Sequence, residues 1–192
     1  MNYWKKVNIG DYKVYTPKIY YYFVNIYPTQ SEKPDYLKTN TFWNPVPLRH
    51  INHFFPELID SVSHLGEIKE LAIVNIDNLF GNSGTTLHTD HTFGLNNRVK
   101  ARLNIPILNT EGSKTCFYDI PTKYKYEVSV GGTKVWSREL ENILSPVTSV
   151  EVVEPTILRI SEPHIVTCIS KKIPRITLTI SFKDDIVRLL DE

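Results

Sequence analysis

Eight consecutive residues, Arg175-Ile176-Thr177-Leu178-Thr179-Ile180-Ser181-Phe182, alternate polar and apolar without interruption. Successive side chains of a strand point to opposite faces, whereas a helix repeats every 3.6 residues, so this stretch is a β-strand. A second run, Arg102-Leu103-Asn104-Ile105-Pro106-Ile107, alternates in the same way. It sets Arg102 and Asn104 on one face and Leu103, Ile105 and Ile107 on the other. Each strand thus carries an arginine on its polar face. Alternation alone does not name the inside of a sheet, so either polar face could be the solvated exterior. If the faces are internal they need partners, because an unpaired buried polar group costs about 1–3 kcal/mol. A bound carboxylate would satisfy them, and Arg suits that task because its planar fork makes two parallel bonds to a carboxylate.

Between these strands and the N-terminal third lies Leu87-His88-Thr89-Asp90-His91. His88 and Asp90 are two apart, so on an extended segment they share a face. An imidazole and a carboxylate aimed at one point are half of a metal site. Two His and one carboxylate, with open positions beside them, are the ligand set of non-haem iron(II) oxygenases. His164 is the only His after residue 91, and it sits in Pro163-His164-Ile165-Val166. Arg175 follows it eleven positions later (175 − 164).

This spacing resembles the 2-oxoglutarate/iron(II)-dependent dioxygenases, in which an H-x-D/E pair, a distal His and a later Arg or Lys hold metal and co-substrate. The detail Arg102-Leu103-Asn104-Ile105-Pro106 is most similar to the branch around the aspartyl/asparaginyl β-hydroxylases and to oxygenase-like proteins of phages and bacteria. The resemblance covers about residues 70–182. It implies a double-stranded β-helix (jelly roll, cupin-like). It implies Fe(II) held by His88, Asp90 and His164. It also implies 2-oxoglutarate bound through Arg175 with Arg102 and Asn104 assisting, O2 as oxidant, and hydroxylation of an amino-acid, peptide or other small substrate with release of succinate and CO2. In the resembling family the strand before the pair lends the co-substrate a polar side chain, here Asn75 or Asp77. Related halogenases lack the carboxylate that Asp90 supplies, so hydroxylation is the expected outcome. Nucleobase demethylases of the superfamily carry a second Arg soon after the first, and Ile176 to Phe182 has none. The competing reading is a non-catalytic cupin-like module, a phage structural or accessory protein among them. A zinc hydrolase with the same ligands would leave Arg175 without a purpose.

At 192 residues the chain is expected to form one domain, with a β core over about 70–182. Hydrophobic residues make up 41% and charged ones 22%, the balance of a soluble globular protein. A net charge of +1 gives no pull toward nucleic acid or membrane. No apolar run reaches membrane-spanning length, and no apolar segment follows Lys5-Lys6 as a secretory signal would require. Cys116 and Cys168 are too few for a disulfide framework. A cytosolic setting follows, with both thiols reduced.

The remaining segments frame the core. Residues 3–27 read as two aromatic strands, with Tyr20, Tyr21 and Tyr22 as strand packing rather than a stacking platform. Pro28 to Pro47 reads as a loop in which Phe42 and Trp43 plug an apolar edge and which could serve as a lid. Leu48 to Leu65 reads as helical, broken at Pro56 and stopped at Gly66, with Leu58, Ile59, Val62 and Leu65 as its stripe. His50 and His53 share a face of that helix, but no acid completes a metal site there. Further strands are expected at 70–76, 115–118, 147–153 and 157–160, with a hairpin over 124–136. Trp136 and Arg138 are placed at the substrate entrance. Residues 184–190 form an amphipathic C-terminal helix that docks on the sheet or on a second subunit. Small-barrel architecture follows from many short strands with turn signals.

Overall fold

The computed structural model describes residues 1–26, 43–76, 85–90, 99–128, 133–169 and 173–192. The strands are β1 (Trp4–Lys6), β2 (Trp43–Pro45), β3 (Ile68–Ile76), β4 (Arg102–Leu108), β5 (Lys114–Phe117), β6 (Glu127–Val128), β7 (Lys134–Val135), β8 (Thr148–Glu151), β9 (Thr156–Leu158), β10 (His164–Val166) and β11 (Arg175–Phe182). Short helices intervene: α1 (Thr16–Tyr21), α2 (Leu48–Phe54), α3 (Pro56–Val62), α4 (Glu139–Ile143) and α5 (Arg188–Asp191). The chain is mainly β, and every strand pair is antiparallel.

The larger sheet has the order β1-β9-β4-β11-β3-β2. β11 lies inside it, paired with β3 on one side and β4 on the other. The exposed-edge alternative for this strand is therefore excluded. All eight of its residues are buried, because both faces of the sheet are covered. On one face Leu71, Ile73, Leu103, Ile105, Ile176, Leu178, Ile180 and Phe182 meet Ile19, Tyr22, Ile51, Phe55, Leu58 and Val62 from the helices. The other face carries Arg102, Asn104, Thr156, Arg175, Thr177, Thr179 and Ser181, all buried. Register fixes that grouping, since Thr179 pairs with Asn104 and Asn104 with Thr156.

The second sheet, β10-β5-β8, packs on that polar face. Leu158 of the larger sheet joins Phe117, Val150, Val152 and Ile160 in one apolar cluster. The polar faces of β4 and β11 are thus interior, between two sheets. Pro106 falls where the β4–β11 register shifts and beyond the span of β9, where a missing N–H disrupts least. On the outer side of the small sheet, Leu87, Tyr118, Trp136 and Leu140 cluster with Cys116 and Ile165. Tyr118, Tyr124, Trp136, Leu140 and Leu144 therefore form its cover.

Two expectations need correction. The aromatic run after Pro17 is α1 followed by a π-helical turn, Tyr22–Ile26, and not a strand. Pro17 suits the first turn of a helix. Ile19, Tyr22, Phe23 and Ile26 follow helical spacing into the core, a stripe hidden because the residues between are also aromatic or branched. Tyr20 and Tyr21 are exposed, and the Tyr22 hydroxyl pairs with His50 Nδ1 at 2.8 Å. Trp43 belongs to β2 rather than to a loop. Trp136 packs in the outer cluster, and Arg138 is exposed.

The broken helix is as expected, with Pro56 opening α3. Gly66 follows its last 3-10 turn at φ +142°, and a β-carbon there would meet Phe182 at 3.5 Å. Residues Ile186 and Leu190 dock on the chain's own core, and Arg159 clasps Asp191 at 2.6 Å while its Nε donates to the Asn2 carbonyl. The lid expected near residues 28–42, the turn ahead of Thr85, the loop at 91–98 and Asp77 lie outside the described residues.

Leu178 sits fully buried in the middle of β11. Leu178→Ala is expected to lower the unfolding free energy by about 2–5 kcal/mol, measured by chemical denaturation, because the β-sheet around it cannot collapse onto the void.

Candidate metal centre

The segment from Thr85 to Asp90 is held as an extended rung between β10 and β7. His88 N donates to the His164 carbonyl at 3.0 Å, and His164 N donates back to the His88 carbonyl at 2.8 Å. The two histidines are thus a directly opposed antiparallel pair, whose side chains share one face. On its other edge the rung accepts Trp136 N at the Leu87 carbonyl and donates Thr89 N to the Lys134 carbonyl. The Leu87 amide donates to Glu141 Oε1 of α4 at 3.0 Å. The insert between β5 and β8 therefore clamps the rung that carries His88 and Asp90. Its role was not readable from sequence, since nothing local ties Glu141 to Leu87.

Asp90 is fixed by its own amide, which donates to the Ile160 carbonyl. One ligand atom from each of His88, Asp90 and His164 lies within 4.8 Å of the others. His88 Nε2 is 3.1 Å from Asp90 Oδ1, and the two imidazole centroids are 4.5 Å apart. Each histidine donates Nδ1–H to the carbonyl two residues before it: His88 to Thr86 at 2.6 Å, His164 to Glu162 at 2.8 Å. That bond fixes the tautomer and turns Nε2 toward the shared point, as in metal-bound histidines. Two imidazole Nε2 atoms and one carboxylate oxygen fit a divalent transition-metal ion.

The electrostatics of His164 and Asp90 suit that donor set. Burial, then the nearby His88, push His164 down to about 4, so its ring is neutral at pH 7 and able to ligate. Burial opposes the charge of Asp90, but the hydrogen bond from His88 and the charges of His88, His164 and Arg102 hold it well below the usual carboxylate range. Burial also opposes a charged His88, yet Asp90 outweighs it and raises His88. His50 and His53 form no metal cluster, and the Asp90 triad is the site of this kind among the described residues.

Arg102 and Arg175 stand toward opposite ends of the interior polar face. Leu103 pairs with Ile180, so Arg102 lies at the Ser181 end of β11. Six positions separate Ser181 from Arg175 (181 − 175), about 20 Å of strand at ~3.3 Å per residue. Arg102 is at the metal end, where its charge reaches Asp90. It stacks 4.4 Å over the Trp43 ring and donates to Glu70 Oε2 at 3.3 Å. Asn104 follows it on the same face and donates to the Arg102 carbonyl. Sequence reasoning missed Trp43 and Glu70, which reach Arg102 only through the sheet.

Arg175 is different. It is buried at 2% exposure and takes part in none of the ion pairs among the described residues. Its Nε has no hydrogen-bond partner among them. Burial pushes its guanidinium down to about 10, with Cys168 acting weakly the other way. Cys168 continues the His164–Val166 face and lies 3.8 Å from the Ile173 carbonyl, so it stands at the Arg175 end. Asn75 pairs with Ile176 on the helix-covered face of the sheet, which removes it from the interior.

Neither a family model nor a curated protein sequence matches the chain. Solved structures that match include the acireductone dioxygenase of Bacillus anthracis with cadmium in its active centre, at 13% identity and a TM-score of 0.36, over 95% of this chain and 78% of that one. Another is the epimerase SnoN in complex with Fe3+, alpha ketoglutarate and nogalamycin RO, at 13% identity and a TM-score of 0.36, over 75% of this chain and 64% of that one. Both descriptions name a bound metal ion. No helix is long and apolar enough to cross a membrane among the described residues.

Proposed function

We propose that this chain is an Fe(II)- and 2-oxoglutarate-dependent oxygenase that hydroxylates an unactivated C–H of an amino-acid, peptide or other small substrate. The observation that carries the reading is the pairing of two features inside one interior. His88, Asp90 and His164 converge with both Nδ1 atoms bonded to backbone carbonyls, and a buried guanidinium that joins no ion pair among the described residues waits at the far end. Leaving such a group unpaired is costly, so a ligand with a carboxylate is the natural partner. The two facing sheets are, on this reading, the walls of a double-stranded β-helix.

His88, Asp90 and His164 would hold the iron, and Arg175 the far carboxylate of 2-oxoglutarate. Iron(II) bound there supplies electrons for O2 activation, coupled to conversion of 2-oxoglutarate into succinate and CO2. The chain's own residues bind and orient. The Nδ1 bonds to Thr86 and Glu162 hold both rings in place. Arg102, steadied by Trp43 and Glu70, and Asn104 lie at the metal end, where the keto acid would chelate. Phe117, 5.7 Å from His164, walls one side with apolar surface and keeps water away.

The test is aerobic incubation with Fe(II), ascorbate and 2-oxoglutarate. Slow succinate formation without added substrate is expected, abolished in His164→Ala. Metal binding with no 2-oxoglutarate binding by calorimetry would favour the non-catalytic cupin-like module instead.

A further inference from the structure

We infer that Arg159 is a positioning residue for the metal centre: clamped to Asn2 and Asp191, it sets the turn whose carbonyls hold Asp90 and His164. The inference rests on the metal-binding part of the reading above and is independent of the co-substrate.

The turn between β9 and β10, residues 159–163, joins the larger sheet to the small one. Its Ile160 carbonyl accepts the Asp90 amide at 2.9 Å, and its Glu162 carbonyl accepts Nδ1–H of His164 at 2.8 Å. Two of the three ligands thus take their hold from one short turn. Its internal backbone bond, from Glu162 N to the Arg159 carbonyl, is long at 3.4 Å. What fixes the turn comes from outside it. Arg159 N donates to the Tyr3 carbonyl at 2.8 Å, its Nε to the Asn2 carbonyl at 2.9 Å, and its Nη2 to Asp191 Oδ1 at 2.6 Å. Asn2 closes the ring by donating from Nδ2 to the Leu190 carbonyl at 2.8 Å. Ser161 N donates to the Lys100 carbonyl, and the Lys100 amide is itself held by Asp185 Oδ2 at 2.8 Å. Residues 185–191 therefore reach the turn by two routes.

Arg159 is buried, and bonds in two directions fix the plane of its guanidinium. A movement of its backbone passes through one peptide to the Ile160 carbonyl, and from there to Asp90. Metal ligands work only when held within about 0.5 Å of their productive positions, so a shift of this kind reaches the ion.

The experiment is Co(II) titration of the chain and its variants. Affinity is read by competition with a chromophoric chelator, and geometry by the visible absorption of the bound ion. Arg159→Met is expected to lower Co(II) affinity about tenfold, the low end of the cost of losing a residue that orients a ligand. It should also change the band of the saturated protein. Asp191→Ala should act in the same direction, by about threefold or more. Asp191→Asn keeps an oxygen acceptor and should return both readouts to those of the parent. A pure charge effect predicts otherwise: losing a cation tightens dication binding, and losing an anion weakens it with alanine and asparagine alike. Leu58→Ala empties a fully buried site in α3 without touching the turn, and should leave affinity and band unchanged. Should Arg159→Met not fold, the two Asp191 variants carry the comparison, since that carboxylate is exposed. Tighter binding in Arg159→Met, equal loss in Asp191→Asn and Asp191→Ala, or a matching loss in Leu58→Ala overturns the inference. Co(II) binding that is alike in the parent and every variant overturns it alone, and a parent chain that binds no Co(II) overturns the metal reading with it.

Discussion

Asp90→Ala is expected to remove tight divalent-metal binding while the chain stays folded. Metal affinity should fall by well over the ~10–100-fold that loss of a mere outer-shell partner costs, because a ligand and its charge are both lost. Two neutral imidazoles remain, with no anion to offset a dication in a mostly buried site. The fold should survive because Asp90 is anchored through its amide to Ile160, a bond that alanine keeps. Its side chain packs in none of the apolar clusters. The measurement is competition for Co(II) or Fe(II) against a chromophoric chelator under anaerobic conditions, with a denaturation curve alongside. Unchanged affinity in the variant would move the metal elsewhere and remove the basis of the oxygenase reading. Loss of affinity together with loss of structure would be resolved by Asp90→Asn, which keeps the shape and removes only the charge.

The convergence of His88, Asp90 and His164 was more legible in the sequence than its surroundings. His88 and Asp90 share a face by parity alone, and parity holds on any extended segment. Arg175 opens an alternating strand, and the strand is where it was expected. What parity could not give was which face is inside. Two sheets bury the polar side of β4 and β11, and that is a tertiary fact. The partners of Arg102 come from β2 and β3, far off in sequence. The N-terminal helix was misread because β-prone aromatics filled both its faces, and a helical stripe shows only against polar residues. Glu141 holding the Leu87 amide had no local signal at all.

Arg175→Met is expected to act in opposite directions on ligand affinity and on stability. Affinity for 2-oxoglutarate should fall about 10–100-fold, since hydrogen bonds to a charged carboxylate contribute roughly 1.5–3 kcal/mol. The unliganded chain should be as stable as the parent or more so. Ordinarily, removing one member of a buried ion pair strands the other and destabilises the fold. Here no acid among the described residues is stranded, because none pairs with Arg175. What goes is a buried cation whose desolvation opposes folding, visible as the downward push on its guanidinium. Methionine keeps most of the aliphatic length and fills the interior between β11 and the small sheet. Thermal melts with and without 2-oxoglutarate report both effects at once, because a ligand that binds only the folded chain raises its stability in proportion to the logarithm of its concentration over Kd. The parent should gain stability with 2-oxoglutarate and the variant should not, while the variant's unliganded melting point matches or exceeds the parent's. A variant that melts lower and still responds to 2-oxoglutarate would make Arg175 a structural residue. An unpaired buried guanidinium would then be a cost the fold tolerates for some other reason, and the co-substrate assignment would fall with it.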